Sequence, residues 1–436
     1  MAGFLDILRR GDWLTLSRAR LWALAVLVAS AGGIVYLVAT SDGLIDYQGR
    51  PLGTDFSNVY AAGTHVLDGN PAAAFDPRLQ HAREQIIFGE KTPFYGWHYP
   101  PFFLGVAAAL ALMPYQLALI VWQGVTLALY LLAIRSIIEA SSWPGLTRPS
   151  TTSPGTSPQD VDARHKAGHD RVWLLLALAY PAVFVNLGHG HNGFLTAALM
   201  GFALVTLDTR PILAGILFGL LAYKPQFGLM IPLVLLATGR WRTLFAAGGT
   251  VAALVIAATL VFGIEAWRAF FTFAEYTRAI VLETGETGWH KIQSVFSWAR
   301  MWGAPVSLAY AIQGAVTLAV AAALIWLWRS REGFALKAAA LCLAAVLATP
   351  YSLDYDLMVL APAIVFLTID GMERGFGPWE KSALAFLWAV PLMARGIAQV
   401  TLIPLGIIAM LAVFALVMRK AAVPAAVPIG GQAISP

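Results

Sequence analysis

Charge is what this chain has least of. Asp, Glu, Lys and Arg make up 12% of its 436 residues, against roughly 25% in soluble domains. Hydrophobic residues reach 58% and the mean hydropathy is +0.69. Such a composition excludes a soluble globular domain, because a surface this poor in charge has to face lipid. Cysteine is nearly absent as well. The single Cys342 rules out an internal disulfide or a thiolate cluster, and its apolar surroundings mark it as a packing residue. The net charge of +5 is spread thinly, without the dense Lys/Arg block of a nucleic-acid footprint. Histidines occur without HExxH or paired-Cys spacing, so neither a metal nor another cofactor is expected.

Long apolar runs are what is present. A crossing takes about 20 residues. Runs at 21–40, 115–138, 172–187, 193–207, 212–222, 227–238, 244–262, 306–328, 335–348, 357–369, 382–394 and 400–418 predict about twelve spans in one all-α polytopic domain over 1–436. The first run reads as an uncleaved helix. The run 102–113, bounded by Pro100, Pro101 and Pro114, falls short of a crossing and reads as an interfacial helix. With that segment left uncrossed, the positive-inside rule places roughly 19 of the 29 Lys and Arg in the cytoplasm. Inverting it would export Arg240/Arg242, Arg329/Arg331 and Arg419/Lys420. The expected location is therefore the inner membrane, with both termini cytoplasmic.

Two long hydrophilic segments, 41–101 and 263–305, then face outward. Rich in aromatics and carboxylates, they are expected to fold. The cytoplasmic stretches 141–170 and 421–436, biased in Pro, Ser, Thr and Ala, are expected to be mobile, with His165 and His169 solvated.

Chemistry is expected at the outer face. Asp55, in GTDFSNVYAAG, reads in two ways: a helix N-cap or a general base toward a hydroxyl. Phe56, Val59, Tyr60 and Gly63 would share one helix face. In YGWHYPP the two prolines hold His98 and Tyr99 in a stiff extended segment, suited to substrate contact or to an aromatic belt. Lys224, in LAYKPQFGLMIP, is a cation between apolar runs, placed to hold a lipid phosphate or to snorkel to headgroups. The turn NLGHGHNG, the segment GWHKIQSVFSWAR and the turn TPYSLDYDL bring His189, His191, Asn192, His290, Lys291, Gln293, Asp354 and Asp356 to the same side.

DFSNVYAAG with the downstream GNPAAAFD, WHYPP followed by an apolar stretch ending at Pro114, LAYKPQFGLMIP and TPYSLDYD together resemble glycosyltransferase family 87. These elements occur in the same order over most of the chain. The resemblance implies a GT-C fold and an inverting hexosyltransferase of the outer leaflet. Its donor would be a polyprenyl-phosphate sugar, mannose or a similar hexose, and its acceptor a glycolipid or glycan hydroxyl, reached through membrane lipid. Asp55 matches the family's catalytic base, and His290 is a partner by context. Substrate and phosphate binding would fall to Lys224, His98, Tyr99, His191, Asn192, Gln293, Lys291 and Asp354. Where related turns carry Gly-Gln, this one has Gly190 followed by His191. Two rivals stay open: a transporter or lipid flippase, disfavoured by the lack of an internal repeat, and a ligase moving a preassembled glycan from a lipid diphosphate.

Overall fold

The computed structural model describes residues 2–141 and 172–423. The 141–170 and 421–436 stretches lie largely outside the described residues, as do His165 and His169. Within the described residues the chain is all-α, and its extended pairings are isolated bridges.

Helix α1 (Ala2–Arg10) precedes α2 (Leu16–Ala39), whose Thr15 cap accepts the Arg18 N–H at 3.3 Å. The first hydrophilic segment holds α3 (Thr54–Leu67) and α4 (Pro77–Phe88), then an extended return to α5 (Leu104–Ala111). Then follow α6 (Tyr115–Ser141), α7 (Val172–Leu178), α8 (Pro181–His189), α9 (Gly193–Thr206), α10 (Pro211–Leu220), α11 (Met230–Ala237) and α12 (Trp241–Thr277). The last third comprises α13 (Val295–Met301), α14 (Val306–Arg329), α15 (Phe334–Leu347), α16 (Leu360–Arg374), α17 (Glu380–Ala389), α18 (Ala394–Thr401) and α19 (Leu405–Ala422).

Among the described residues six helices are long and apolar enough to cross a bilayer, or up to eight if each of two bent pairs forms one span. The pairs are α7 with α8, bent by 44°, and Glu380–Leu392 with α18, bent by 77°. Four more of the expected runs fold as the shorter apolar helices α9, α10, α11 and α15, so length alone does not reach twelve. The run 400–418 divides, because Leu402 takes a φ of 59° and Pro404 precedes α19. At eight residues, α5 cannot cross, and it packs on α3. There Gly63 meets the Ala107 carbonyl so closely that an added Cβ would lie 2.1 Å from it.

Small residues set the deepest contacts. On α10, Gly215 and Gly219 form a GxxxG face against Thr243 to Thr250 of α12, where added Cβ atoms would come within 2.4 and 2.6 Å of that helix. Helix α15 is buried continuously from Ala338 to Leu347, including Cys342. Lipid touches little of it.

Helix α12 breaks at Gly263, whose φ of 79° and ψ of 167° suit glycine alone. Beyond that break an aromatic arm lies over the first hydrophilic segment: Phe270 meets Phe75, Trp267 meets Phe102, and Phe273 stacks on His98 at 5.3 Å. The second segment also pairs with the 349–356 turn through an Ile292 to Leu353 bridge. Both hydrophilic segments thus stand at one end of the bundle. The opposite end gathers basic residues: Arg374 binds Glu332 and Asp370, Lys420 binds Asp370 and Glu380, and Arg240 lies over Trp328.

Candidate active site

Asp55 is the second residue of α3, and it does not cap the helix. Gly53 occupies the N-cap position in a left-handed conformation, without a side-chain cap bond. The Asp55 carboxylate is left free for other work. It is about 20% exposed, and its Oδ2 lies 3.8 Å from His189 Nδ1. That nitrogen also hydrogen-bonds with Thr54 Oγ1 at 2.8 Å. Burial pushes the Asp55 carboxyl above its ordinary value, and Asp354 adds to this, while His189, Lys224 and Lys291 pull it back. A carboxylate raised in this way is a better proton acceptor at neutral pH.

The turn carrying His189 is held by side-chain amides. Asn186 accepts the Gly193 N–H at 2.7 Å and donates to the His191 carbonyl at 3.0 Å, which Gln123 also reaches at 3.2 Å. His191 is consequently fixed edge and face. Its Nε2 is 3.0 Å from the Tyr99 hydroxyl, and its ring stacks on Tyr355 at 3.4 Å. Tyr355 forms the centre of the site, with the His189 ring at 5.7 Å and the Lys224 ammonium at 5.5 Å.

Lys224 sits in the non-helical break between α10 and α11, fully enclosed and ion-paired with Asp356. Asp356 also accepts the Leu353 N–H at 2.9 Å. The expected free cation is therefore already paired. Beside it opens a cavity of about 190 Å³. One wall is apolar, from Phe270, Phe273 and Ala274 of the α12 arm; the other carries Lys224, Asp356, His98 and His191. His98 contributes as a neutral ring, since burial lowers it to about 4, and it bonds with Thr277 Oγ1 at 3.1 Å.

Other expected residues stand further off. His290 lies on the Trp289–Lys291 turn, and no hydrogen bond or ion pair joins it to Asp55 among the described residues. Burial, then the charges of Lys291 and Arg395, lower it against the pull of Asp354. Lys291 makes no ion pair among the described residues; burial and Arg395 lower it, whereas Asp354 and Asp55 raise it. Asp354 is buried and lies 3.5 Å from Arg395. Gln293 does not line the cavity, and its Oε1 lies against Gly406. Asn192 is buried with its Oδ1 unpartnered. Arg300 is tied up in the second segment, donating to the carbonyls of Ala304 and Glu283 and lying over Trp289 at 4.6 Å.

Sequence reasoning did not single out Tyr355, Arg395 or Tyr223, and it preferred His290 to His189 beside Asp55. The signal for His189 was present in the GHGH turn, but its proximity to Asp55 spans 134 residues of chain. Tyr223, whose hydroxyl bonds with Thr196 at 2.6 Å, stacks on Phe103 at 4.9 Å and joins α9 to the first segment.

No curated protein and no solved structure matches the chain. A family model, glycosyltransferase family 87, matches residues 97–350. That segment is more than half of the chain and carries the cavity's His98, Tyr99, His191 and Lys224, with Asp55 preceding it. Since this match falls on an all-α bundle of apolar helices, the chain belongs to glycosyltransferase family 87 and is a membrane glycosyltransferase.

Proposed function

We propose that the enzyme transfers a hexose from a polyprenyl-phosphate donor to a hydroxyl of a glycolipid or glycan, at the outer face of the inner membrane and with inversion. One observation carries this reading: apolar and polar side chains line a single cavity, and Asp55, outside that lining and with no capping role, is near enough to Lys224 for their charges to interact. An isoprenoid chain suits Phe270 and Phe273, and a phosphate suits the cationic break at Lys224.

In the step, Asp55 takes the proton of the acceptor hydroxyl as its oxygen bonds to the anomeric carbon. The bond from that carbon to the phosphate oxygen breaks, and its electron pair leaves on the lipid phosphate. Attack and departure on opposite faces invert the centre. His189 favours the ionised carboxylate before the transfer. Lys224 would meet the phosphate by sharing its charge with Asp356, and Lys291, which makes no ion pair among the described residues, would add a second positive charge. His98, Tyr99, His191 and Asn192 would line the sugar.

The test uses purified protein and a labelled polyprenyl-phosphate hexose. Asp55→Asn removes the base and is expected to lower transfer by about 10²- to 10⁴-fold. Its melting point should hold, because no cap bond is lost. Full transfer by this variant would sink the assignment.

A further inference from the structure

A polar nest inside the first hydrophilic segment takes no part in the cavity. Glu84, on α4, has no exposed surface. Its Oε2 accepts the Tyr95 N–H at 3.0 Å, and its Oε1 has no partner. One turn earlier on the same helix, Gln80 donates Nε2 to the Asn58 carbonyl at 3.1 Å and leaves its own Oε1 unpartnered. The Gln80 side chain is a hydrogen-bonding neighbour of Glu84. Buried acceptor oxygens left without a partner cost free energy. A proton on Glu84 removes the buried charge and turns Oε1 from an unanswered acceptor into a donor, while Oε2 keeps the Tyr95 N–H.

What Glu84 holds matters to the cavity. Tyr95 starts the return toward Pro100 and Pro101, a segment kept extended by those prolines. Trp97, fully buried, lies against Tyr99 at 5.0 Å. His98 and Tyr99, at the end of this segment, line the cavity. The backbone fixed at Tyr95 therefore sets where both side chains fall.

We infer that Glu84 is a positioning residue of this transferase: a neutral acid whose grip on the Tyr95 N–H sets His98 and Tyr99 in the cavity. The inference rests on that cavity being the substrate site. Burial supports it by pushing the Glu84 carboxyl up to about 8, against the pull of the Tyr95 N–H and Gln80. The titratable groups on the elements packed around it are Asp55, Tyr60 and His65 of α3, Arg78, His81 and Arg83 of α4, and Tyr95; the Pro71–Phe75 turn supplies none. Arg83 is paired with Asp68 and His81 with the Thr92 carbonyl.

The sign of the pH effect follows. The folded protein keeps a proton that an unfolded Glu84, near 4.5, would release. Its contribution to stability is complete below that value and is lost as pH rises to about 8. Glu84→Gln imitates the neutral acid without titrating. Two measurements compare it with the parent. Hydrogen exchange of a peptide spanning residues 92–99 should match near pH 6, and at pH 9 the parent should exchange about 5-fold faster than the glutamine variant. In transfer assays the parent's kcat/KM should fall through pH 8 while the variant's does not, and Glu84→Ala should raise KM about 10-fold with a smaller change in kcat. Equal exchange at pH 9, parallel activity profiles, or a glutamine variant already impaired near pH 6 would each overturn the inference. Exchange needs no donor. It therefore still decides the role of Glu84 if the polyprenyl-phosphate reading fails.

Discussion

The two ends of α16 carry carboxylates in contrasting company. At its C-terminal end Asp370 accepts Arg374 and Lys420, each at 2.9 Å, Lys420 also reaches Glu380, and Arg374 reaches Glu332. The Gly375 carbonyl and the Gly377 N–H complete that set, and the space left beside it is about 20 Å³. Just before its N-terminal end, Asp354 and Asp356 stand beside Lys224, Arg395 and the freer Asp55, next to a cavity of about 190 Å³. Polar atoms there remain unpartnered, His191 Nδ1 and Asn192 Oδ1 among them. Similar side chains thus serve two purposes. Where every charge is answered the cluster fastens helices together. Where answers are missing and space remains, there is capacity to bind.

Removing Lys224 strikes this contrast hardest. Lys224 and Asp356 are both enclosed, so Lys224→Met should strand a buried carboxylate at a cost of about 3–5 kcal/mol. The double variant Lys224→Met/Asp356→Leu should recover most of that stability in thermal unfolding. If Lys224 serves the phosphate, the recovered protein stays inactive. A stable double variant with full transfer would reduce the pair to a fastener like that at the far end.

Lys420→Met probes that far end and should cost less, about 1–3 kcal/mol. Asp370 keeps Arg374, and Glu380 keeps the Gly377 N–H at 2.8 Å. Thermal unfolding should move while kcat and KM stay in place. A drop in kcat with unchanged stability would erase the division between the two ends.

Much of the scaffold was legible in the sequence, for reasons that also mark its limits. Hydropathy locates apolar runs because burial in lipid is a local property of composition. For the same reason Gly263 could be read as a boundary, and the proline-bounded run after Pro101 as a short helix. Hydropathy is blind to breaks inside a run, which is why the division at Leu402 and Pro404 went unseen. Family membership was legible through the spaced elements around WHYPP and LAYKPQFG. The pairings within the site were not. Lys224 and Asp356 are 132 positions apart, and Asp55 and His189 are 134 apart. Nothing local in either sequence window says which charge will meet which. A lysine between apolar runs signals that a partner is needed without naming it. Asp55 gained its freedom from Gly53, whose left-handed conformation took the cap position that the spacing had offered to the aspartate.

The smallest expected effect separates the two histidines. His189 lies 3.8 Å from the Asp55 carboxylate, and its ring meets Tyr355 edge-on. His290 is near Lys291, Arg395 and Asp354 instead. If proximity to the base decides, His189→Ala should lower kcat about 10-fold, a barrier change of about 1.4 kcal/mol. It should also move the acid limb of the kcat/KM profile upward, because the Asp55 carboxyl loses an influence that lowers it. Protonation would then silence the base at a higher pH than in the parent. His290→Ala should leave that limb in place, and any loss should appear in KM. An acid limb that shifts with His290 but not with His189 would restore the pairing expected from the sequence. It would also mean that the second hydrophilic segment moves toward Asp55 when substrate binds, so that the free carboxylate is answered only in the complex.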